Sequence, residues 1–408
     1  MAGDDLDEQL RVLHAGAVDC ITDDELRERV ASGRPLRVKL GLDPSRPDIH
    51  IGHAVVLRKL REFQELGHTA VLIVGDFTAQ VGDPSGRSAT RPALSKAEAD
   101  ANAATYFEQA QHILLPDRLE IRHNSEWLGE MGIDDVLRLT ARSTVARMLE
   151  RDDFAKRYAA GNPISVMELL YPLLQGWDSV MVRADVEVGG TDQLFNLLAA
   201  RGLQEHEGQP PQVVLTMPLL VGLDGSQKMA KSLDNYVGIT DPPDEQFGRL
   251  MRIPDDAMAE YFELATGWRP DRVAEARGEL ERTRGADRGG LKRLLARTVV
   301  DLYHGDGAGE RAEAEFDRVY REHAAPSDVE EFVLPTQELR DGRIEVARLL
   351  ALAGVVGSNR EGRRKITEGG VYLDDERVTD PSLEVAPQDV DGRLLRLGRR
   401  GWRRIRAG

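Results

Sequence analysis

The chain has 408 residues, a formal net charge of −16 and a single cysteine, Cys20. This length is enough for two or three domains with buried cores, and one cysteine excludes a disulfide framework or a cysteine-rich zinc site, as expected in a reducing compartment. Because the amino terminus is acidic and no apolar run approaches the roughly 20 residues of a membrane span, we expect a cytoplasmic protein without a membrane partner.

The first third of the chain predicts alternating strands and helices. LRVKLGLD (36–43) is an apolar-rich strand, and TAVLIVGD (69–76) is a nearly continuous apolar run, as expected of a strand covered on both faces. Between them, apolar residues recur at helical spacing up to the stop at Gly67. A strand, a helix and a strand within about 40 residues form a βαβ unit, so the sheet should be parallel.

The remaining pattern predicts the domain organisation. RADVEVGG (183–190) and PQVVLTMPLLVG (211–222) are strand-like, so they should complete the same sheet. The predicted fold class is α/β, with a Rossmann-like parallel-sheet domain, an α-helical domain and a small α+β domain. The predicted ranges are 1–239 for the sheet domain with a helical insertion at about 95–180, 240–325 for the helical domain, 326–342 for a linker and 343–408 for the small domain.

Two histidines follow the first strand in PSRPDIHIGHAVVLRKL (44–60). Ligands of open parallel sheets bind at the carboxyl ends of strands, and a helix start attracts phosphate. His50 and His53 can add hydrogen bonds to the same anion, while Gly52 lets a ligand approach the backbone. A metal pair is the alternative, but it needs further ligands and no cysteine lies nearby. Two surface histidines at a helix cap are the third interpretation.

The loop DGSQKMAKSLDN (224–235) has two lysines three residues apart, followed by a serine. Such lysines suit closure over a polyphosphate and neutralisation of the charge that develops during transfer at phosphorus. Alone, Lys228, Lys231 and Ser232 would indicate a solvated turn. Combined with the histidine motif in this order, they predict a nucleotide site.

Together these motifs resemble those of class I aminoacyl-tRNA synthetases. HIGH (50–53) and KMAKS (228–232) are similar to the two signature motifs of that family. The chain resembles the tyrosine-specific members of the family in particular. The segments that carry this resemblance are GLDPSRPDIHIGH, GDFTAQVGDPSG, YPLLQGWDSV and VGGTDQLFN. From residue 343 the chain resembles a small RNA-binding domain that occurs in ribosomal small-subunit proteins. The same domain is found at the carboxyl terminus of bacterial enzymes of this family.

The resemblance implies a ligase that activates L-tyrosine with ATP, taken as its Mg²⁺ complex, and charges tRNA(Tyr). It implies catalytic roles for His50, His53, Lys228, Lys231 and Ser232. It implies ATP contacts from Gly41, Asp43, Ser45, Gly52, Gly190, Asp192 and Lys231. It implies tyrosine contacts from Thr78, Asp83, Tyr171, Gln175, Asp178 and Gln193, with Asp178 at the phenol hydroxyl. A homodimer is also implied, and no protein-bound metal is expected.

Two positions depart from the family pattern. Ala230 replaces the middle serine of the lysine motif, which removes a hydroxyl but neither charge. Lys39 occupies a position where many tyrosine enzymes have a second partner for the phenol, a tyrosine. Lys39 is therefore included among the predicted tyrosine-binding residues, although the substitution puts recognition by two donors in doubt.

Charge is distributed unevenly along the chain. Residues 341–408 have 14 Lys and Arg against 11 Asp and Glu, a balance of +3, which leaves −19 for the rest. A basic end on an acidic body is typical of a module that contacts nucleic acid, although a solvated charged face is the alternative. The predicted RNA-binding residues are Arg363, Arg364, Lys365, Arg399, Arg400, Arg403 and Arg404.

Other functions stay open on the sequence alone. The chain could be a paralogue that activates tyrosine or an analogue for another pathway, or one retained mainly as an RNA-binding scaffold. It could also be another nucleotidyl transferase of the histidine-motif superfamily, with a small acid as substrate. Intact histidines and lysines argue against a scaffold, and the predicted tyrosine residues argue against another transferase. Tyrosine-dependent pyrophosphate exchange would distinguish these functions.

Overall fold

The computed structural model describes residues 2–44, 49–85, 96–283, 288–320, 329–374, 376–398 and 401–408. The chain forms two compact units, Met1–Gly309 and Glu310–Gly408. Three residues with predicted roles, Ser45, Arg399 and Arg400, lie outside the described residues. Within the described ranges, no helix is both long and apolar enough to cross a bilayer.

A six-stranded sheet forms the centre of the first unit. Its strands are β1 (Asp19–Ile21), β2 (Arg37–Leu42), β3 (Thr69–Val74), β4 (Leu119–His123), β5 (Val186–Gly190) and β6 (Val213–Met217). The order is β1-β6-β5-β2-β3-β4, and every pair is parallel except β1 with β6. The predicted parallel α/β sheet is therefore confirmed. β3 is buried over five successive residues, as its continuous apolar run predicts.

Helices surround this sheet and continue beyond it. They are α1 (Ala2–His14), α2 (Asp23–Ala31), α3 (Ile51–Glu65), α4 (Thr78–Val81), α5 (Lys96–Ala110), α6 (Ser125–Leu128), α7 (Ile133–Thr140), α8 (Val145–Met148), α9 (Asp152–Ala159), α10 (Val166–Val182), α11 (Leu194–His206), α12 (Pro243–Leu250), α13 (Met258–Leu264), α14 (Pro270–Arg282), α15 (Arg288–His304) and α16 (Ala308–Tyr320). α3 ends before Gly67, whose φ of 96° lies in the left-handed region that favours glycine. α10 and α11 pack against each other beside β5.

The range 95–180 differs from the predicted helical insertion, because it contributes β4 to the edge of the sheet. β4 pairs in parallel with β3 along its whole length. Its sequence, LEIRH, alternates apolar and charged residues and all five are only partly buried. A short edge strand of this kind lacks the apolar run that reveals a central strand.

The arrangement of β2 and β5 positions the functional site. These strands are adjacent, with Lys39 opposite Glu187 in the register. From β2 the sheet continues through β3 to β4, and from β5 it continues in the other direction through β6. A crevice forms at the carboxyl ends of strands where the order reverses in this way.

The second unit is a small α+β fold with its own apolar core. Its elements are β7 (Glu331–Leu334), β8 (Ile344–Glu345), α17 (Val346–Leu352), α18 (Asn359–Thr367), β9 (Val371–Leu373), β10 (Glu376–Arg377), β11 (Glu384–Val385), α19 (Pro387–Val390), β12 (Leu394–Leu397) and β13 (Gly401–Ala407). β7 lies within the range predicted as a linker, yet it pairs in parallel with β13. Its apolar side chains Phe332 and Leu334 pack against this core, which explains the difference.

Candidate active site

A cavity of about 360 Å³ opens at the carboxyl ends of β2 and β5. It brings together both sequence motifs and nearly all of the predicted tyrosine set. The predicted residues that line it are Gly41, Asp43, His50, Gly52, His53, Thr78, Asp83, Tyr171, Gln175, Asp178, Gly190, Asp192, Gln193, Lys228, Lys231 and Ser232. Segments far apart in sequence therefore form one site.

The two histidines lie at the start of α3 with their rings stacked. The ring centroids are 3.8 Å apart, and a Cβ at Gly52 would lie 3.0 Å from the His50 ring. Burial lowers the pKa of His50 to about 2 and that of His53 to about 4, and the charge of Lys228 acts in the same direction on both. Both imidazoles are therefore neutral at pH 7.

Neutral imidazole has one donor and one acceptor nitrogen, so the contacts of His53 fix its tautomer. Its Nδ1 accepts a hydrogen bond from the backbone N–H of His50 at 3.4 Å, which leaves the proton on Nε2. Nδ1 of His50 is buried and has no hydrogen-bond partner among the described residues. The pair thus leaves ring nitrogens available to an oxyanion at the start of a helix.

The loop 224–235 is anchored by Asn235 and Asp224. Asn235 accepts the backbone N–H of Ala230 at 2.8 Å, and its amide donates to the carbonyl of Lys228 at 3.2 Å and to Asp224. Asp224 also accepts two backbone N–H groups of the loop, and these hydrogen bonds hold its pKa well below its usual range. The alanine at position 230 therefore leaves the backbone of the loop anchored.

The lysines of this loop line the cavity, and Lys228 lies beside Asp192. Nζ of Lys228 lies 3.3 Å from Oδ2 of Asp192, and Nζ of Lys231 lies 5.3 Å from the ring centroid of Tyr236. The side chain of Lys228 is 49% exposed, so its ion pair with Asp192 is weak and can be exchanged for a phosphate. A Cβ at Gly190 would lie 2.7 Å from Oδ1 of Asp192, so glycine keeps this end open.

Asp43 accepts two hydrogen bonds at the other end of the cavity. Thr78 Oγ1 donates to Oδ1 at 2.7 Å, and the hydroxyl of Tyr171 donates to Oδ2 at 2.9 Å. Burial, and then the charge of Asp83, raises the pKa of Asp43 to about 7. The sequence analysis assigned Asp43 to ATP, whereas these bonds place it beside predicted tyrosine contacts. A Cβ at Gly75 would lie 2.0 Å from Oδ1, so this approach requires glycine.

Asp178 is a buried carboxylate held by two side chains. Trp127 Nε1 donates to Oδ1 at 2.8 Å and Asn124 Nδ2 donates to Oδ2 at 3.3 Å. Burial raises the pKa of Asp178 to about 7, while the charge of Lys39 and these two bonds act in the opposite direction. Asp178 therefore presents a fixed acceptor to the cavity.

The amide side chains of the cavity are oriented by Asn196. Its Nδ2 donates to Oε1 of Gln175 and to Oε1 of Gln193, both at 3.0 Å. Gln193 in turn donates to Oδ2 of Asp83 at 2.9 Å. The amide and carboxylate groups that face the cavity are thus held in one arrangement before any ligand binds.

Lys39 does not line the cavity, so its position gives no support to the predicted direct contact with tyrosine. Its Nζ lies 2.8 Å from Oε1 of Glu187, and both side chains are fully buried. The ammonium also donates to the carbonyl of Gln175 at 3.0 Å and to Ser179 Oγ at 2.8 Å. These three acceptors use all of its hydrogens.

The sequence analysis missed the residues that orient the site, namely Asn124, Trp127, Asn196 and Glu187. The first three have no periodicity or motif that distinguishes them from ordinary polar or core residues. Glu187 could have been recognised from the sequence as unusual, because it is a carboxylate inside the predicted strand RADVEVGG. A charge within a buried strand requires a partner, and here that partner is Lys39.

One possible metal-ligand group occurs among the described residues, away from the cavity. It consists of His14, Cys20 and Asp23, whose ligand atoms lie within 4.8 Å of one another. Burial, and then Asp23, raises the pKa of Cys20 to about 12, so its thiol is protonated. The expectation that the chain has no resident metal stays a prediction.

Comparison with known proteins identifies the family. The model of class I tRNA synthetases (W and Y) matches residues 31–321, and that of the tyrosine–tRNA ligase SYY-like C-terminal domain matches residues 329–404. The tyrosine–tRNA ligase of Thermotoga maritima is 48% identical over 403 residues, or 98% of each chain. That of Deinococcus radiodurans is 47% identical over 98% of this chain and 96% of its own. This chain belongs to the class I tyrosyl-tRNA synthetase family.

Solved structures share the fold. A C-terminally truncated mitochondrial tyrosyl-tRNA synthetase from Aspergillus nidulans has a TM-score of 0.62 and 21% identity over 78% of this chain and 100% of its own. A tyrosyl-tRNA synthetase from Archaeoglobus fulgidus, complexed with L-tyrosine, has a TM-score of 0.62 and 23% identity over 75% of this chain and 99% of its own. The similarity at this identity concerns the fold alone.

The predicted RNA-binding residues that the structure describes fall on two elements of the second unit. Arg363, Arg364 and Lys365 lie on α18, where their partners are surface carboxylates. Arg403 and Arg404 lie on β13 and donate to backbone carbonyls of the same unit at 3.1 Å. The arginines of β13 are therefore engaged in the fold, and those of α18 are more accessible.

Proposed function

We propose that this chain is a tyrosine–tRNA ligase, which activates L-tyrosine with ATP and transfers it to the 3′ end of tRNA(Tyr). One observation is decisive. A single cavity at the switch point between β2 and β5 holds two neutral histidines and two lysines together with Asp43, Asp83 and the buried carboxylate of Asp178. The first set suits ATP and the second suits an amino acid with a phenol group. The relatives named above have the same activity.

The first reaction joins the tyrosine carboxylate to the α-phosphorus of ATP and releases diphosphate. A carboxylate is already ionised at pH 7, so the step needs positioning and charge stabilisation, not a protein base. His50 and His53 would donate from neutral rings to α-phosphate oxygens, and Lys228 and Lys231 would neutralise the diphosphate. Mg²⁺ enters as part of the nucleotide substrate. A ribose hydroxyl of tRNA then takes the tyrosyl group, which releases AMP.

The amino-acid pocket suits both ends of tyrosine. The ammonium group would lie near Asp43, Asp83 and the hydroxyl of Tyr171, where acceptors are concentrated. The phenol hydroxyl would donate to Asp178, which Trp127 holds in place. A buried acceptor built for this hydroxyl would be left unpaired by phenylalanine, so the pocket should reject it.

Pyrophosphate exchange into ATP tests this function. We expect exchange that depends on tyrosine, together with charging of tRNA(Tyr) by the same preparation. Exchange with another carboxylic acid but not with tyrosine would indicate a different nucleotidyl transferase. Tyrosine-dependent exchange without any charging would indicate a paralogue that serves another pathway, and no exchange with retained RNA binding would indicate a scaffold.

We place the enzyme in the cytoplasm, where translation supplies its tRNA. Two features support this location. Within the described residues no helix is long and apolar enough to cross a membrane, and the chain's one cysteine, Cys20, has no second cysteine with which to form a disulfide within the chain, as expected in a reducing compartment. The proposed partners are therefore ATP, L-tyrosine and tRNA.

The RNA-binding surface is proposed on α18 of the second unit. The side chains of Arg363, Arg364 and Lys365 are 54%, 62% and 32% exposed. Exposed ion pairs contribute little stability, so these cations can exchange their carboxylate partners for phosphates. Trp402 is only 8% exposed and lies beside the guanidinium of Arg396, so its ring is not accessible for stacking on a nucleotide base of the RNA.

Changing Arg364 and Lys365 together to glutamine should weaken tRNA binding and make its salt dependence shallower. Loss of two phosphate contacts should reduce the slope of log K against log salt by about 1 to 2. Pyrophosphate exchange should not change, since the adenylate site lies in the first unit. Arg27→Gln, an exposed arginine of α2, is the matched control. An unchanged slope in the double variant would remove α18 from the RNA-binding surface.

We propose that two copies associate through the helices between β4 and β5. Large apolar side chains are exposed on these helices, namely Ile133, Leu137, Val145, Tyr158 and Val166. Ile133 and Leu137 are 73% and 59% exposed and lie four residues apart, on one face of α7. Exposed apolar surface of this kind indicates a protein contact, and a symmetric homodimer is the commonest solution.

Changing both Ile133 and Leu137 to aspartate should convert the dimer into a monomer at micromolar concentration. Carboxylates at these two positions would be buried in the contact without partners and would lose their hydration. Light scattering or sedimentation equilibrium would measure the mass. Val18→Asp, an apolar residue that is 57% exposed outside these helices, is the control and should stay dimeric. A monomeric unaltered protein would contradict the proposal.

A further inference from the structure

Lys39 and Glu187 form a fully buried ion pair beneath the amino-acid pocket. They face each other in the register of β2 and β5, the strands that flank the switch point. Their charged atoms are 2.8 Å apart, and neither side chain is exposed. Buried ion pairs are weak contributors to stability, because apolar residues of similar size often stabilise a fold equally well. Stability alone therefore gives a poor reason for this pair.

The pair is bonded to α10 on both sides of Asp178. Lys39 donates to the carbonyl of Gln175 and to the hydroxyl of Ser179, which lie three residues before and one residue after Asp178. The hydroxyl of Ser179 then donates to Oε2 of Glu187 at 3.0 Å. This closed ring of hydrogen bonds joins the sheet to the segment of helix that presents Asp178.

The same pair orients the amide of Gln175. Its Nε2 lies 3.4 Å from Oε1 of Glu187, and its Oε1 accepts from Asn196 at 3.0 Å. The side-chain amide of Gln212, the residue directly before β6, also donates to Glu187. Glu187 itself lines the cavity, whereas Lys39 lies behind it. Any movement of the pair would therefore displace two side chains of the pocket.

We propose that Lys39 and Glu187 are positioning residues, which fix Gln175 and Asp178 in the amino-acid pocket and thereby set the selection of tyrosine over phenylalanine. This inference rests on the proposed ligase function. The groups that act electrostatically on Asp178 or respond to it are Lys39, Glu187, Asp43 and Tyr171. Lys39 is the cation among them, and it opposes the effect of burial on the pKa of Asp178.

The test compares Lys39→Met with Lys59→Met in the full chain. Lys59 is an equally buried lysine that is paired with Glu62 and bonded to two carbonyls, away from the cavity. For Lys39→Met we expect the ratio of kcat/KM for tyrosine over phenylalanine to fall by about 10- to 100-fold, mainly through the KM for tyrosine. The ratio should also reach its maximum at a higher pH. Lys59→Met should lower Tm but change neither the ratio nor its pH profile.

A double variant with Lys39→Met and Glu187→Met removes the unpaired carboxylate that the single variant leaves behind. We expect it to melt close to the unaltered protein and still to discriminate poorly, because neither charge is left to act on Asp178. Recovery of the original ratio and pH profile would reduce the pair to a structural element and overturn the inference. So would an unchanged ratio in Lys39→Met. If the unaltered chain showed no tyrosine-dependent exchange, the ligase function itself would fail instead.

Discussion

A Lys231→Ala variant should form tyrosyl-adenylate about 10²- to 10³-fold more slowly, with its affinity for tyrosine unchanged. The lysine lines the cavity, and in the proposed mechanism its charge is needed as diphosphate departs. An interaction that strengthens only in the transition state changes kcat and leaves ground-state binding of the other substrate intact. The loop should keep its conformation, because Asn235 anchors it through groups other than the lysine side chain.

Single-turnover formation of adenylate would give the rate, and equilibrium dialysis without ATP would give the affinity for tyrosine. Lys365→Ala in the second unit is a matched control, since it removes one exposed lysine and should leave adenylate formation as it is. A Lys231→Ala variant that raised only the KM for tyrosine would show that the lysine acts on the amino acid. Its proposed role at the diphosphate would then be wrong.

The central sheet could be predicted because its strands are buried on both faces. β3 is nearly continuous apolar sequence, and α3 shows helical spacing that ends at a glycine with positive φ. β4 could not be predicted in the same way, since an edge strand with alternating charges has no such run. β7 could not be predicted for a related reason. Its four residues are recognisable as a strand only once β13 lies beside them.

In the site, sequence reasoning found residues that line the cavity and missed those that hold them in place. His50, Lys228 and Asp178 belong to motifs with a recognisable order and spacing. Asn124 and Asn196 belong to no motif, and their importance comes from the hydrogen bonds that they make. Asn124 donates to residues 46 and 54 positions away in the sequence, and Asn196 donates to residues 21 and 3 positions away. Such contacts depend on the packing of several elements, which one sequence does not reveal.

Lys39 shows that a sequence can mark a residue as unusual without indicating its partner. A lysine in a buried strand beside a ligand pocket has two physical solutions, a ligand contact or an ion pair. Its partner, Glu187, is 148 residues away, and only the register of β2 with β5 places the two side by side. The sequence analysis could identify Lys39 as unusual, but it had no means to choose between these solutions.

Replacing Asp178 with alanine should weaken discrimination against phenylalanine by about 100-fold or more. Tyrosyl-tRNA synthetases are themselves the standard example of a site that rejects phenylalanine, by about 10⁵, because a buried partner of the hydroxyl is left unpaired. Asp178 is 3% exposed, and its bonds from Trp127 and Asn124 prevent it from turning to another partner. The measurement is the ratio of kcat/KM for the two amino acids in pyrophosphate exchange. An unchanged ratio would transfer the role to another residue.

The pH dependence of that ratio distinguishes Asp178 from the other carboxylates. Burial raises the pKa of Asp178 to about 7, so the charged acceptor forms as the pH rises through neutrality. The preference for tyrosine should therefore increase between pH 6 and pH 8 and then level off. Asp43 also has a pKa of about 7, but in the proposed binding mode it would face the ammonium group that both amino acids share, so its titration should cancel in the ratio. In Asp178→Asn, which keeps the size of the side chain without the charge, the increase should disappear. A ratio that still rose with pH in this variant would show that a different group titrates against the phenol.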